Sequence, residues 1–123
     1  MKFLLLTYID EKDWFGKPEA ERQELMGDAM PHVQRLLADG KFLGGAPLLP
    51  VSTASTVRLR DGQPLITDGP YAETREQVGG YALIEAVDFE EAVRIAAGFL
   101  GTRSPSITEV RQIGELRGVP PHR

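Results

Sequence analysis

The chain has 123 residues, 41% of them hydrophobic and 26% charged, and it contains no cysteine. This length and composition predict one globular domain over residues 1–123, with residues 114–123 as a tail that need not be ordered. Acidic residues outnumber basic ones by 18 to 14, which argues against a surface that coats nucleic acid. The absence of cysteine excludes disulfides, a thiolate nucleophile and a zinc knuckle.

The amino-terminal apolar run, residues 3–9, predicts a strand because it is short and includes aromatic and β-branched residues. It is too short for a signal peptide and far below the ~20 residues of a membrane span. We therefore expect a cytoplasmic protein with no membrane partner. Both alternating faces of this strand are apolar, which predicts that it is covered on both sides.

A helix is predicted from Pro18, a favourable first position, to a stop at Asp39 and Gly40. Pro31 interrupts this helix, so we expect a kink or a locally broken turn over residues 27–30. The apolar stripe of the helix consists of Leu25, Ala29, Val33 and Leu36.

The middle of the chain predicts a strand over residues 41–49 and then a β-hairpin. Residues 56–60 alternate, and Asp61-Gly62 is a strong two-residue turn signal that leads into residues 65–67. Pro64 makes the return strand an edge. A polar loop over residues 68–76 is expected to follow.

The last third predicts a strand, a helix and a strand. Gly79-Gly80 is expected to open the strand over residues 81–87, which is also apolar on both faces. Asp88 and Glu91 have the spacing of a capping box, and Gly101 is expected to stop the helix. The final strand is predicted over residues 107–113. The apolar face of the helix is predicted to consist of Ala92, Val93, Ala96, Ala97 and Leu100.

This order of elements predicts a ferredoxin-like α+β fold with an inserted hairpin. Two helices cover only one face of a sheet, yet two strands carry apolar side chains on both faces. A second copy of the chain, packed sheet against sheet, is the economical cover. We therefore expect a homodimer.

Several segments of the chain form a distinctive set. They are the N-terminal Met-Lys-Phe-Leu-Leu-Leu-Thr-Tyr, Thr56-Val57-Arg58, the block Asp68-Gly69-Pro70-Tyr71-Ala72-Glu73-Thr74-Arg75-Glu76, Gly79-Gly80-Tyr81, Leu83-Ile84-Glu85-Ala86 and Glu109-Val110-Arg111. Together these segments resemble the YCII-related family and, more narrowly, its DGPF branch. Tyr71 stands where the branch has Phe, and Arg75 stands where Lys is commoner.

The resemblance implies a dimeric α+β barrel of ferredoxin-like chains, in a family whose activity is mostly unassigned. In the broader family a His on the first helix and an Asp near the motif are proposed as a catalytic pair. Relatives of similar fold handle small ring compounds such as lactones and hydroquinones. Genes of the DGPF branch often neighbour those of extracytoplasmic-function sigma factors, which implies a regulatory setting.

His32 and Asp68 are the candidate catalytic residues. His32 is the only histidine outside the tail, and its ordinary pKa suits proton transfer near neutral pH. The alternative for His32 is an imidazole on the helix flank, shaped by Pro31. Asp68 is either a base in the cleft under the hairpin or the first residue of an Asx turn.

Tyr8, Tyr71 and Arg75 are the candidate substrate-binding residues. Arg75 is suited to bind an anionic ligand bidentately, and the alternative is a solvated charged loop with Glu73 and Glu76. The tyrosines suit a pocket for an aromatic molecule, with core packing as the alternative.

Two functions follow as alternatives. The first is a protein that binds a small polar or aromatic molecule in a dimer-associated cleft, with cofactor-free acid–base catalysis if it is an enzyme. The second is a non-catalytic interaction module associated with a sigma-factor system. The two histidines are separated, and the sequence has no nucleophile elbow, P-loop or dinucleotide fingerprint, so we expect neither a metal nor a cofactor.

Overall fold

A computed structural model describes residues 1–120. No helix among these residues is long and apolar enough to cross a membrane. In chain order the elements are β1 (Lys2–Asp10), α1 (Glu11–Gly16), α2 (Glu19–Gly27), α3 (Met30–Ala38), β2 (Phe42–Pro47), a short 3₁₀ helix (Val51–Thr53), β3 (Ser55–Arg60), β4 (Gln63–Asp68), β5 (Glu76–Glu85), α4 (Phe89–Leu100) and β6 (Ile107–Gln112).

Four strands form an antiparallel sheet in the order β2-β5-β1-β6. This order is compatible with the ferredoxin-like α+β arrangement predicted from the sequence. Strands β3 and β4 form a separate two-stranded sheet, which we call the arm. The predicted arm turn is confirmed, because Asp61 and Gly62 have positive φ angles of 52° and 76°, as a two-residue hairpin turn requires.

The hydrophobic core lies between one face of the sheet and helices α3 and α4. Phe3, Leu5 and Ile84 are the largest fully buried side chains, and they come from the two central strands. Leu36 covers them from α3, as the predicted stripe required. Helix α4 contributes Ala92, Ile95 and Ala96.

The middle of the opposite side of the two central strands is also apolar, with the ion pair of Lys2 and Glu85 at one end. We call this apolar patch the open face, defined by Leu4, Leu6, Tyr81 and Leu83. Leu4 pairs with Leu83 and Leu6 with Tyr81 across the strands. None of the four is fully buried, and Tyr81 is 43% exposed. Apolar side chains therefore line both sides of β1 and β5, as the sequence predicted.

The break in the first long helical pattern is confirmed. Helix α2 ends at Gly27 and α3 begins at Met30, with Pro31 in the first turn of α3. Proline is tolerated there because the first turn has no intrahelical partner for its missing N–H group.

Helix α1 was not predicted. Asp10 caps this helix by accepting a hydrogen bond from the backbone N–H of Asp13 at 3.2 Å. Glu11 and Asp13 place negative charge in its first turn, which favours a helix start. The same charged residues also suit a turn after a strand, and six residues are too few to show helical periodicity.

The predicted start of β5 was wrong, because the strand begins at Glu76 and Gly79 and Gly80 lie inside it. Both glycines accommodate close neighbours. A Cβ on Gly79 would lie 2.6 Å from the Cδ1 of Ile9, and one on Gly80 would lie 3.3 Å from the carbonyl oxygen of Ala46. The two glycines are therefore explained by the close approach of neighbouring strands, and they do not mark the start of β5.

The predicted face of α4 was partly wrong. Val93 is 43% exposed, whereas Ile95 is buried with Ala92 and Ala96.

The predicted cap of α4 is confirmed, since the N–H of Glu91 donates to the Asp88 carboxylate at 2.8 Å. The Glu91 carboxylate in turn accepts from the Val87 N–H at 3.0 Å. Residues 114–120 form neither helix nor strand, and residues 121–123 of the predicted tail lie outside the described residues.

Gly45→Ala is expected to destabilise the fold by about 1–3 kcal/mol, since added volume in a packed site forces backbone shifts. A Cβ at this position would lie 2.6 Å from the backbone oxygen of Tyr81. Gly27→Ala is the matched control, because a Cβ there meets nothing within 4 Å. Urea unfolding of the two variants checks this, and equal midpoints would contradict the tight packing of β2 on β5.

Candidate functional site

A cleft of about 790 Å³ lies where β1 ends, beside the loop that leads from the arm to β5. We call it the arm cleft. Its volume falls in the range of roughly 300–1,000 Å³ that is typical of small-molecule sites. It is lined by Asp10, Glu11, Lys12, Val51, Ser52, Gly69, Pro70, Glu73, Thr74, Arg75 and Gln77.

Hydrogen bonds hold the loop that borders the arm cleft. The Gly69 N–H donates to the Ala54 carbonyl at 2.8 Å, and the Thr56 hydroxyl donates to the Gly69 carbonyl at 2.9 Å. The Gln77 side-chain amide donates to the carbonyls of Ala72 and Thr74 at 3.0 and 2.9 Å. The loop is therefore held at its arm end, in its middle and at its β5 end.

Asp10 and Arg75 form the ion pair of this cleft. The Nε–H of Arg75 donates to Oδ2 of Asp10 at 3.0 Å, while Oδ1 accepts from the Asp13 N–H. The hydrogen bond from Arg75, followed by the one from Asp13, lowers the pKa of the Asp10 carboxyl. The Arg75 side chain remains 87% exposed, so its outer N–H groups are accessible to a ligand.

Glu11 connects α1 to the 3₁₀ helix that also lines the cleft. Both oxygens of its carboxylate accept from the Val51 N–H, at 3.1 and 3.3 Å. Val51 begins the short 3₁₀ helix that precedes the arm. Two adjacent acidic residues, Asp10 and Glu11, thus hold two different segments that line the cleft.

The three candidate site residues within residues 68–76 differ in where they lie relative to the arm cleft. Arg75 lines the cleft, as the predicted binding role requires. Asp68 ends β4 opposite Ser55 and is exposed, next to the cleft-lining Gly69. Tyr71 is 79% exposed, and the guanidinium of Arg58 lies 5.5 Å from its ring centroid. Asp68 and Tyr71 are not among the residues that line the cleft.

Tyr8 lies on the sheet, where β1 pairs with β6. Its hydroxyl donates to the Glu109 carboxylate at 2.9 Å. This hydrogen bond raises the pKa of Tyr8, because the negative carboxylate stabilises the protonated phenol. Tyr8 does not line the arm cleft, and its predicted binding role stays a prediction.

His32 lies between α3 and α4. Its Nε2 lies 2.8 Å from the backbone carbonyl oxygen of Ile95, and its ring meets Phe99 edge-on with the centroids 5.0 Å apart. The ring fills the space beside Gly98, where an added Cβ would overlap it. Among residues 1–120 no hydrogen bond joins His32 to Asp68. The proton-transfer roles assigned to the two residues stay predictions.

The sequence analysis missed Asp10, Glu11 and Val51 as residues of the cleft. An Asp directly after a strand, followed by acidic residues, is a helix-cap signal that would have indicated α1. No local pattern indicates that Glu11 meets Val51, which is 40 residues away in the chain.

His32→Ala is expected to lower the stability of the protein by about 1–2 kcal/mol, because it removes a hydrogen bond and ring packing between two helices. Gln34→Ala on the same helix is the control, since Gln34 is exposed. Chemical denaturation measures both variants. If His32→Ala is as stable as Gln34→Ala, the helix-joining role is wrong.

Comparisons with known proteins agree with the resemblance to the YCII-related family. The profile of the YCII-related domain matches residues 1–117. An uncharacterised protein of Rhizobium meliloti (strain 1021) is 32% identical over 106 residues, which cover 86% of this chain and 85% of that protein. With a family match over nearly the whole chain, the protein belongs to the YCII-related family.

Proposed function

We propose that the protein binds a small polar or aromatic molecule in the arm cleft. The observation that carries this proposal is a cleft of about 790 Å³ with an exposed arginine held on its wall by a carboxylate. A bound ligand profits from donors that are already oriented, since less entropy is lost on binding.

The composition of the walls supports a ligand that has both polar and apolar parts. Val51 and Pro70 supply apolar surface, and Ser52 supplies a hydroxyl group. The Gln77 side-chain N–H groups are already donated to carbonyls of the loop, which leaves its amide oxygen as an acceptor. Binding sites for small molecules commonly combine apolar walls with a few polar groups that set the orientation of the ligand.

We also propose that the protein is a homodimer of the DGPF branch, assembled through the open face into an α+β barrel. The argument is the hydrophobic effect on Leu4, Leu6, Tyr81 and Leu83, because apolar area removed from water stabilises an interface by roughly 25 cal/mol per Å². A two-fold arrangement covers the open faces of two chains at once.

Ligand binding in the arm cleft does not require His32. His32 is engaged with the Ile95 carbonyl and is not a lining residue of the cleft. Acid–base catalysis by His32 and Asp68 therefore stays a prediction. So does the alternative of an interaction module associated with an extracytoplasmic-function sigma factor.

Ser52→Phe is expected to abolish binding of small ring acids and phenols, because the larger side chain occupies the cleft. Ser52 is an exposed residue of the short 3₁₀ helix, so the change leaves the core intact. Ligand-observed NMR screening of the unmodified protein and the variant measures this. Thr102→Phe, an exposed substitution in the turn after α4, is the control and should bind like the unmodified protein. Binding that survives Ser52→Phe unchanged would place the ligand elsewhere and contradict the proposal.

Sedimentation at micromolar concentration is expected to show twice the chain mass of 13.5 kDa. Tyr81→Glu should shift the protein to the monomer, since it places a charge within an apolar interface. Val93→Glu is the matched control, because Val93 and Tyr81 are each 43% exposed but Val93 lies on α4. A monomer before any substitution, or equal effects of the two variants, would overturn the proposed interface.

A further inference from the structure

We propose that the ligand of the arm cleft carries a carboxylate group, which Arg75 and Lys12 bind while Asp10 acts as a positioning residue for Arg75. This inference rests on the proposed function and names the chemical class of the ligand. It depends on which hydrogen-bonding groups of the cleft are already engaged within the protein and which are available.

Arg75 donates fewer hydrogen bonds within the protein than Arg103 does. Arg103 donates through Nε and Nη2 to Asp28, at 2.6 and 3.0 Å, and through Nη2 to Glu24 at 3.2 Å. Arg75 donates through Nε to Asp10 and makes no other hydrogen bond to residues 1–120. The Nη1 and Nη2 groups of Arg75 therefore both remain available, whereas Arg103 uses Nε and Nη2 for contacts within the fold.

The single bond to Asp10 also suits the orientation of Arg75. A guanidinium holds its donors in one plane, so a carboxylate that accepts from Nε restricts where the group lies and leaves the Nη1 and Nη2 donors unoccupied. These two donors match a planar carboxylate, which accepts two parallel N–H bonds. Asp10 thus aligns the donor pair without occupying it.

Lys12 adds a second positive charge to the same cleft. It lines the cleft, is exposed and forms no ion pair with any of residues 1–120. An ammonium group acts as a point charge and supports an anion without demanding a fixed geometry.

The acidic groups of the cleft are mostly engaged. Asp10 binds Arg75 and the Asp13 N–H, and both oxygens of Glu11 accept from the Val51 N–H. Glu73 is the one lining carboxylate without a hydrogen bond or ion pair among residues 1–120. The lining holds three carboxylates and two cations, so an anion is favoured there by the free N–H donors of Arg75 and Lys12 and not by the total charge of the cleft.

Asp10 and Glu73 provide a test in which the same change of charge has opposite effects. Glu73→Gln removes a negative charge and should tighten binding of an anion. Asp10→Asn also removes a negative charge, but it should weaken binding because the orientation of Arg75 is lost. Asn has one acceptor oxygen where Asp10 uses two, and it is as good a helix cap as Asp. Helix α1 should therefore persist while Arg75 loses its partner.

Backbone amide NMR titrations at neutral pH are the experiment, with benzoate, the neutral benzamide and inorganic phosphate as probes. Benzoate should shift the resonances of Val51, Gly69 and Arg75 at millimolar concentration. Its affinity should fall about tenfold in Arg75→Gln, a loss of about 1.4 kcal/mol, and severalfold in Lys12→Gln. Benzamide and phosphate should bind more weakly than benzoate. Arg60→Gln, at the exposed end of the arm, is the control and should leave the affinity unchanged.

The Nε–H resonance of Arg75 provides a readout for the positioning role. It should change in Asp10→Asn but not in Glu73→Gln, and thermal unfolding should show that both variants fold. If Asp10→Asn tightens benzoate binding as Glu73→Gln does, the positioning role is overturned.

Three outcomes separate this inference from the proposed function. If benzamide shifts the cleft resonances as strongly as benzoate and Arg75→Gln has no effect, the carboxylate inference fails while small-molecule binding stands. If phosphate binds more tightly than benzoate through Arg75, the assignment to carboxylates is overturned in favour of phosphates. If no probe in this set or in the ring-compound screen shifts the cleft, the proposed function itself fails.

Discussion

The arm cleft depends on the two oxygens of the Asp10 carboxylate. One oxygen accepts from the Asp13 N–H and begins α1, and the other accepts from Arg75 and holds the loop before β5. The residue itself ends β1, a central strand of the sheet. A rigid strand thus carries the group that orders both the helix and the loop beside it, which is how a scaffold positions a binding loop.

Most of the fold was predictable from local patterns. Short apolar runs and the alternation of residues 56–60 identified strands, Asp61-Gly62 identified the arm turn, and Pro31 identified the break between α2 and α3. These signals act within a few residues, so they are readable along the chain. Helix α1 has less than two turns, and its signals, a capping Asp and an acidic first turn, also suit a turn after a strand. The start of β5 was missed because Gly79 and Gly80 indicate close neighbours, and those neighbours belong to β1 and β2.

The candidate site was less predictable, since its contacts join distant parts of the chain. Arg75 was identified because it lies in a distinctive polar block, but its partner Asp10 is 65 residues away. His32 was selected because an imidazole suits proton transfer, and the structure shows its partner to be a helix carbonyl 63 residues away. Residue type indicates which chemistry is available, whereas the fold decides what each side chain meets.

The ionisation of Asp10 affects both the stability of this region and the orientation of Arg75 in the cleft. Its pKa is lowered in the folded protein, so the carboxylate contributes stability above the unfolded value of about 3.9 and loses that contribution as the pH falls through the folded value. At neutral pH the group is therefore ionised, and both of its oxygens act as acceptors. Protonation would remove an acceptor from the α1 cap or from Arg75. A single ionised side chain thus keeps the helix start and the orientation of the cleft arginine in place together.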